Sequence, residues 1–303
     1  MPSPIRRLVA GIATLRPDDP ALVSALRLSA RLGAELHLVH VAAGPAAAGT
    51  PEPRAPGTLR EVAESVAPGT MQTGRVHCRV VAGVPERRLL EVAAGADASL
   101  LVLGATRRTA LASAVLGTTA GHVIRNSPVP VLVVREPLPA RPLRVLLTTD
   151  LSRHAAFAHV WGGSLARALC APEEAEMRSL FVTAAVMGEL PVARDHADLH
   201  AARELLDFLR AEVPPTSSAP RLRRGDVAVE IVREAQEWGA DLLVLGTHGR
   251  RGVQRMFLGS VAETVLQHVP CAALVVPSLR PYRMEAHRAG AGARGAATLP
   301  AGA

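Results

Sequence analysis

LLVLGTHGRRGVQRMFLGSVAETVLQHVPCAALVV, residues 242–276, changes pattern several times. Leu242–Leu245 is an unbroken apolar run, short enough for a strand and apolar on both faces. Gly246 ends it, and Gly249 follows three residues on. Nine residues later, past Arg250, Arg251 and Arg255, the chain reaches Gly259-Ser260, where an amphipathic helical pattern begins. Pro270 closes that pattern, and a second apolar run follows. Buried strand, glycine loop, helix, buried strand is the order of a parallel sheet with helical crossovers.

The same order occurs a second time. Residues 100–134, LLVLGATRRTALASAVLGTTAGHVIRNSPVPVLVV, align with 242–276 without a gap. Upstream, Gly83 matches Gly225, and Arg7–Ala13 parallels Arg144–Asp150. The chain therefore reads as a tandem duplication, with domains expected at 1–137 and 142–278. The joint is REPLPARP, residues 135–142, whose three prolines cannot occupy a central strand or a helix interior. Strands are expected near 7–12, 35–41, 76–82, 99–104 and 130–134, then near 143–149, 177–184, 220–224, 241–246 and 271–276. The signal is poorest at 220–224, where Arg221, Arg223 and Arg224 dilute it. Right-handed crossovers make each half a doubly wound α/β domain with helices on both faces of its sheet. Residues 43–57 read as a Pro/Gly/Ala loop. Residues 279–303 read as a low-complexity, disordered tail; its Gly290, Gly292 and Gly295 match G-x-G-x-x-G outside any strand-helix context and are set aside.

At 303 residues and 49% apolar, the chain can bury two domain cores, yet aromatics are only 2%, so the cores are built of Leu, Val and Ala. Few aromatics also mean few stacking platforms for single strands. The formal charge is +7, and all 34 basic residues are Arg. Without Lys there is no Walker A loop and no lysine nucleophile or base. The arginines are scattered rather than striped, which argues against specific nucleic-acid binding. Cys78, Cys170 and Cys271 form no C-x-x-C pair and read as reduced structural thiols of a cytoplasmic protein. No run approaches the roughly 18 apolar residues of a membrane helix, so no membrane role is expected. Arg6-Arg7 and the short apolar run after them suit a first strand better than an export signal.

In an open parallel sheet, ligands sit at the carboxyl ends of the strands. Gly246 and Gly249 there permit positive φ and close backbone approach. Ser260 is a favoured N-cap residue, and free N–H groups at a helix start attract anions. His248, Arg250, Arg251 and Arg255 add positive charge. The loop thus suits a phosphate chain. Its alternative reading is a plain strand-to-helix connection with solvated arginines.

Gly246, Gly249, Gly259 and Ser260 together resemble the signature of the universal stress protein family, G-x2-G-x9-G-[ST], and the resemblance spans roughly 5–135 and 143–277. It implies two flavodoxin-like or Rossmann-like domains, each a five-stranded parallel sheet ordered 3-2-1-4-5. It also implies an adenine nucleotide: ATP, or alternatively ADP or AMP, with Mg2+ accompanying ATP. By the same resemblance the nucleotide lies between Asp150 and the 246–260 loop. Thr148 and Thr149 precede Asp150, which matches an acidic residue beside the nucleoside, Val182 is the nearest match to the position that touches adenine, and Gly246, His248, Gly249, Arg250, Gly259, Ser260 and Val261 complete the expected cofactor-binding set. Asp150 reads equally as a turn or N-cap residue. The first half keeps Gly104, Gly117 and Thr118 but has Arg107 for the second glycine and Ala13 for Asp150, so it is expected to bind nucleotide poorly or not at all.

No catalytic residue and no metal site are assigned. Ser260, His248 and Asp150 lack the elbow and demonstrable geometry of a triad. His196 and His200, spaced i,i+4 beside Asp195 and Asp198, read as a solvated helix face. The expected function is a cytoplasmic, nucleotide-responsive stress regulator rather than an enzyme. Its halves would pack like a family dimer through strands 130–134 and 271–276. An unidentified protein partner and a homodimer are further expectations. A nucleotide-free interaction module and a slow ATPase are the rival readings.

Overall fold

The computed structural model describes residues 5–42, 55–105, 116–170, 175–183, 191–212, 219–247 and 258–277. The first half runs β1 (Arg7–Gly11), α1 (Pro20–Leu32), β2 (Glu35–Ala42), α2 (Ala55–Val66), β3 (Val76–Ala82), α3 (Pro85–Gly95), β4 (Leu100–Gly104), α4 (Thr118–Asn126), β5 (Val131–Val134). The second runs β6 (Arg144–Thr149), α5 (Arg153–Cys170), β7 (Glu176–Thr183), α6 (Pro191–Glu212), β8 (Arg221–Arg224), α7 (Val227–Trp238), β9 (Leu242–Gly246), α8 (Ser260–His268), β10 (Ala272–Val276). All ten expected strands are present, their ends within a residue or so of the sequence reading. One boundary differs: α2 starts at Ala55, inside the segment read as a loop to residue 57.

The strands form one ten-stranded sheet ordered β3-β2-β1-β4-β5-β10-β9-β6-β7-β8. Within each half the order is 3-2-1-4-5 and the pairing parallel, as expected for a doubly wound α/β domain. The halves join where β5 meets β10 antiparallel, Leu132 opposite Leu274. This pairing removes the two edges that would otherwise expose Val-rich strands.

Successive strand residues point to opposite faces, so each sheet face acquires its own core. Leu8, Val102, Leu132, Val145, Val244 and Leu274 lie on one face, with Leu22 of α1 and Leu165 of α5. Val9, Leu101, Val133, Leu146, Leu243 and Val275 lie on the other, with Leu89 of α3, Ile124 of α4 and Val265 of α8. Both cores run through both halves. The 135–142 joint is fixed from each side: Arg27 Nη1 donates to the Leu138 carbonyl, and Arg141 pairs with Asp241 at 2.7 Å.

β8 explains its own weak sequence signal. It is an outer edge; Arg221 and Arg223 reach the carboxylates of α7, while Leu222 packs against the Phe181 cluster. Arg223 binds Glu230, Glu234 and Glu237 of that helix, and Arg178 of β7 reaches Glu234 at 2.8 Å while lying 4.3 Å over the Trp238 ring. Burial pushes the Glu234 carboxyl up, but hydrogen bonds from Arg178 and Arg223 overcome that and hold it below the usual range.

Candidate functional site

Thr148, Thr149 and Asp150 close β6, and Gly246 and Thr247 leave β9 beside them. The two strands pair only at Val145–Leu242, Leu146–Leu243 and Leu147–Val244. Beyond that the strands no longer pair, and the Thr148 hydroxyl spans to the Val244 carbonyl at 3.0 Å. β6 pairs with β7 on its other side, so this is the switch point of the second sheet.

The turn after β6 is tightly built. Thr149 Oγ1 accepts from the Leu151 N–H at 2.9 Å, and Asp150 Oδ1 from the Ser152 N–H at 3.1 Å. Leu151 sits at φ 64°, an uncommon conformation for a residue with a Cβ. Its side chain packs among Phe181, Leu205, Phe208 and Leu209, so β7 and α6 help hold the strained turn. Ser152 caps α5 by accepting from the Ala155 N–H at 3.2 Å. Asp150 is thus a turn residue and not the helix cap. Val182 is buried on β7.

Across the crevice the glycine segment returns to the sheet at Leu258. Gly259 N–H donates to the Thr247 carbonyl at 3.0 Å, which ties the two ends of the 248–258 excursion together. A Cβ on Gly259 would stand 3.3 Å from that carbonyl, closer than side chains normally tolerate. Two expectations need correction here. Gly246 is the last, extended residue of β9 and has no positive φ. Ser260 is not the N-cap: Gly259 holds that position with extended backbone (φ −58°, ψ 144°), and Ser260 is the first helical residue, with an exposed hydroxyl. The reason is the bond to Thr247, which fixes Gly259 at the helix entrance. Among the described residues no side chain caps α8, and its first N–H groups, on Ser260, Val261 and Ala262, lack helical acceptors of their own. Glu263, the acidic residue of the first turn, leans toward Arg125 of α4 at 3.9 Å. An open N-terminus beside a crevice can accept an anion. His248, Gly249 and Arg250 lie outside the described residues, as does Arg107.

The first half is packed differently at the equivalent strand ends. β1 and β4 pair one step further, to Gly11 opposite Leu103. Gly11 is the repeat mate of Thr148, and a Cβ there would meet Leu103 and Leu89 side chains at 2.9 Å. Leucine therefore covers the floor where the second half has a hydroxyl. Ala13 is exposed, and Thr14 instead turns back onto Asp19 at 2.9–3.1 Å. Asp19 is consumed in capping α1 through the Ala21 and Leu22 N–H groups. Thr148 is among the residues the sequence picks out, whereas Leu89 is not; for the packing over Gly11 the sequence offers only the Gly11/Thr148 mismatch in the repeat alignment, beside Arg107 and Ala13.

Elsewhere, His200 on α6 is exposed and 3.6 Å from Glu204, and among the described residues no cluster has metal-ligand geometry. Likewise no described helix is long and apolar enough to cross a membrane. The three cysteines carry free thiols.

The chain matches the model of the Universal stress protein family twice, over residues 4–135 and 143–277. A universal stress protein of Synechocystis sp. is 32% identical over 114 residues, which span 35% of this chain and 74% of the relative. One from Methanocaldococcus jannaschii is 50% identical over 52 residues, 17% of this chain and 31% of the relative. Among solved structures, a functionally unknown protein from Pseudomonas aeruginosa PAO1 superposes with a TM-score of 0.73 at 18% identity, covering 91% of this chain and 93% of that one; it carries the likeness of fold alone. With two family matches that together span nearly the whole chain, laid on a duplicated 3-2-1-4-5 sheet, the protein belongs to the universal stress protein family as a tandem two-domain member.

Proposed function

We propose that the second half binds one adenine nucleotide, ATP in the first place and ADP or AMP as alternatives, and that the protein is a cytoplasmic nucleotide-responsive regulator rather than a metabolic enzyme. The observation that carries this reading is the uncapped start of α8 standing behind an intact Gly-x2-Gly-x9-Gly-Ser motif and beside the unpaired ends of β6 and β9. In it, the N–H groups of Ser260, Val261 and Ala262 receive phosphate oxygens. Asp150 and Thr149 border the nucleoside, and Val182 lies against the base. His248, Gly249 and Arg250 complete the phosphate wrap by their place in the motif. Mg2+ would accompany ATP as a counter-charge to its phosphates, with no ligand assigned to it from the protein.

The first half serves as a structural and partner-facing unit. Leu89 and Leu103 over Gly11, together with Ala13 and Arg107 in the sequence, support its lacking a nucleotide. Its pairing with the second half through β5 and β10 makes one chain the equivalent of a two-domain dimer.

Calorimetric titration of ATP into three proteins tests the reading. Wild type should bind one equivalent, Gly249→Arg none, and Arg107→Gly still one, because Leu89 and Ala13 remain. Two equal sites in wild type would overturn the assignment to one half. At a hundredfold excess over Kd, ATP should add about 2.7 kcal/mol of stability. ATP turnover that vanishes in Ser260→Ala while binding persists would replace the regulator with a slow ATPase.

A further inference from the structure

Helix α8 has two ends, and the molecule treats them differently. Its N-terminus is the uncapped anion-facing end. Its C-terminus leaves carbonyls that need donors. Within the helix neighbourhood, the Val269 N–H takes the Val265 carbonyl at 2.8 Å, and His268 Nδ1 stands 2.8 Å from the Thr264 carbonyl. The Leu266 carbonyl is taken by a donor from the other half of the chain: Arg135 Nη2, just past β5. Arg135 is buried, 6% exposed as a residue. An arginine remains a cation even when buried, and a cation is favoured at the negative end of a helix.

The duplication makes this contact directional. Arg135 lies 142 residues before Pro277, its repeat mate, and Leu266 lies 142 residues after Ile124. Proline has no side-chain donor to return to α4. So the half with the intact glycine motif has its phosphate-facing helix clasped by the other half, and the half with the altered motif receives no reciprocal clasp from that position. The clasp sits where β5 and β10 join the halves.

We infer that Arg135 is a positioning residue that sets the axis of α8 and so couples nucleotide binding in the second half to the packing of the first. This rests on the nucleotide reading given above and extends it: the ligand would pull on one end of a nine-residue helix while the neighbouring half holds the other. Binding would then tighten the β5–β10 seam, and the first half would sense occupancy without holding ligand itself.

The test compares ATP affinity in wild type, Arg135→Met, Arg135→Lys and Arg27→Ala, each checked for a cooperative melt. Arg27 is the matched control, because it too donates to a backbone carbonyl at the junction of the halves, that of Leu138 in the joint, with no hydrogen bond to α8 among the described residues. Arg135→Met should weaken ATP about tenfold, within the usual range for coupled sites. Arg135→Lys should recover part of the loss, and Arg27→Ala should bind as wild type. Should Arg135→Met fail to fold, amide exchange in the unaltered chain decides: ATP should slow exchange at residues 131–135 and 266–273 but not at β3. Wild-type binding that ignores Arg135→Met, equal losses in Arg135→Met and Arg27→Ala, or a seam whose exchange ATP leaves unchanged would each overturn the coupling and leave the site standing. Absence of ATP binding in wild type would instead sink the site reading itself, and the coupling with it.

Discussion

Gly259 shows how much of the site rests on one missing Cβ. Its N–H closes the glycine excursion onto Thr247, and any side chain there meets that carbonyl at 3.3 Å. Gly259→Ala should cost about 1 kcal/mol of stability and weaken ATP, measured by chemical denaturation and titration side by side. The sequence showed that Gly259 and Ser260 mark a helix start but not which of them is the cap. Serine is the better cap by propensity, and only the tie to Thr247 reverses the assignment. His159 offers a second test at this scale. It is fully buried on α5, its Nδ1 is 3.1 Å from the Ala155 carbonyl, and its Nε2 is without a partner. Burial lowers its pKa to about 4, against the slight opposing pull of Ala155. The unfolded chain therefore takes up a proton near pH 6.5 that the fold refuses. The contribution of neutral His159 is complete above that pH and is lost on acidification toward pH 4, a change of about 3 kcal/mol. Stability measured from pH 7 to 4 should flatten by that amount in His159→Leu; an unchanged slope would show that other groups carry the acid sensitivity.

Among the elements, nine strands were legible because Leu/Val runs bounded by Gly or Pro admit little else. β8 was legible only through the repeat, since RLRR has no apolar pattern of its own. Its stability comes from the α7 carboxylates, and Glu234, 1% exposed at the side chain, is the hub. Glu234→Ala leaves Arg178 and Arg223 short of a partner in a half-buried setting and should cost about 3 kcal/mol, read as a fall in Tm. Because Glu234 titrates below the usual range in the fold, its contribution is present above the unfolded carboxylate pKa of about 4.3 and fades as pH falls further. The variant should therefore differ from wild type most at neutral pH. The leucine packing over Gly11 in the first half belongs to this scale too. It depends on α3 bringing Leu89 over Gly11, a contact between elements 78 residues apart that no local pattern announces.

Across the whole molecule, duplication produced one sheet and two continuous cores rather than two independent beads. Both cores cross the β5–β10 seam, and the 135–142 joint is hydrogen-bonded on each side. Thermal unfolding should accordingly appear as a single calorimetric transition whose van't Hoff and calorimetric enthalpies agree; two resolved transitions would mean that the seam is weaker than its burial implies. The duplication itself was plain in the sequence, and so was the loss of motif residues from the first copy. What the linear pattern could not reveal was that the joint supplies Arg135 to α8, because a proline-rich connector gives no sign of what its first residue will reach. The central claim is that one copy kept a nucleotide site and the other filled its own. Native mass spectrometry of the intact 31.7 kDa chain with excess ATP reads this directly. The expected result is a single nucleotide adduct per chain at saturation; two adducts of equal affinity, or none, would contradict it.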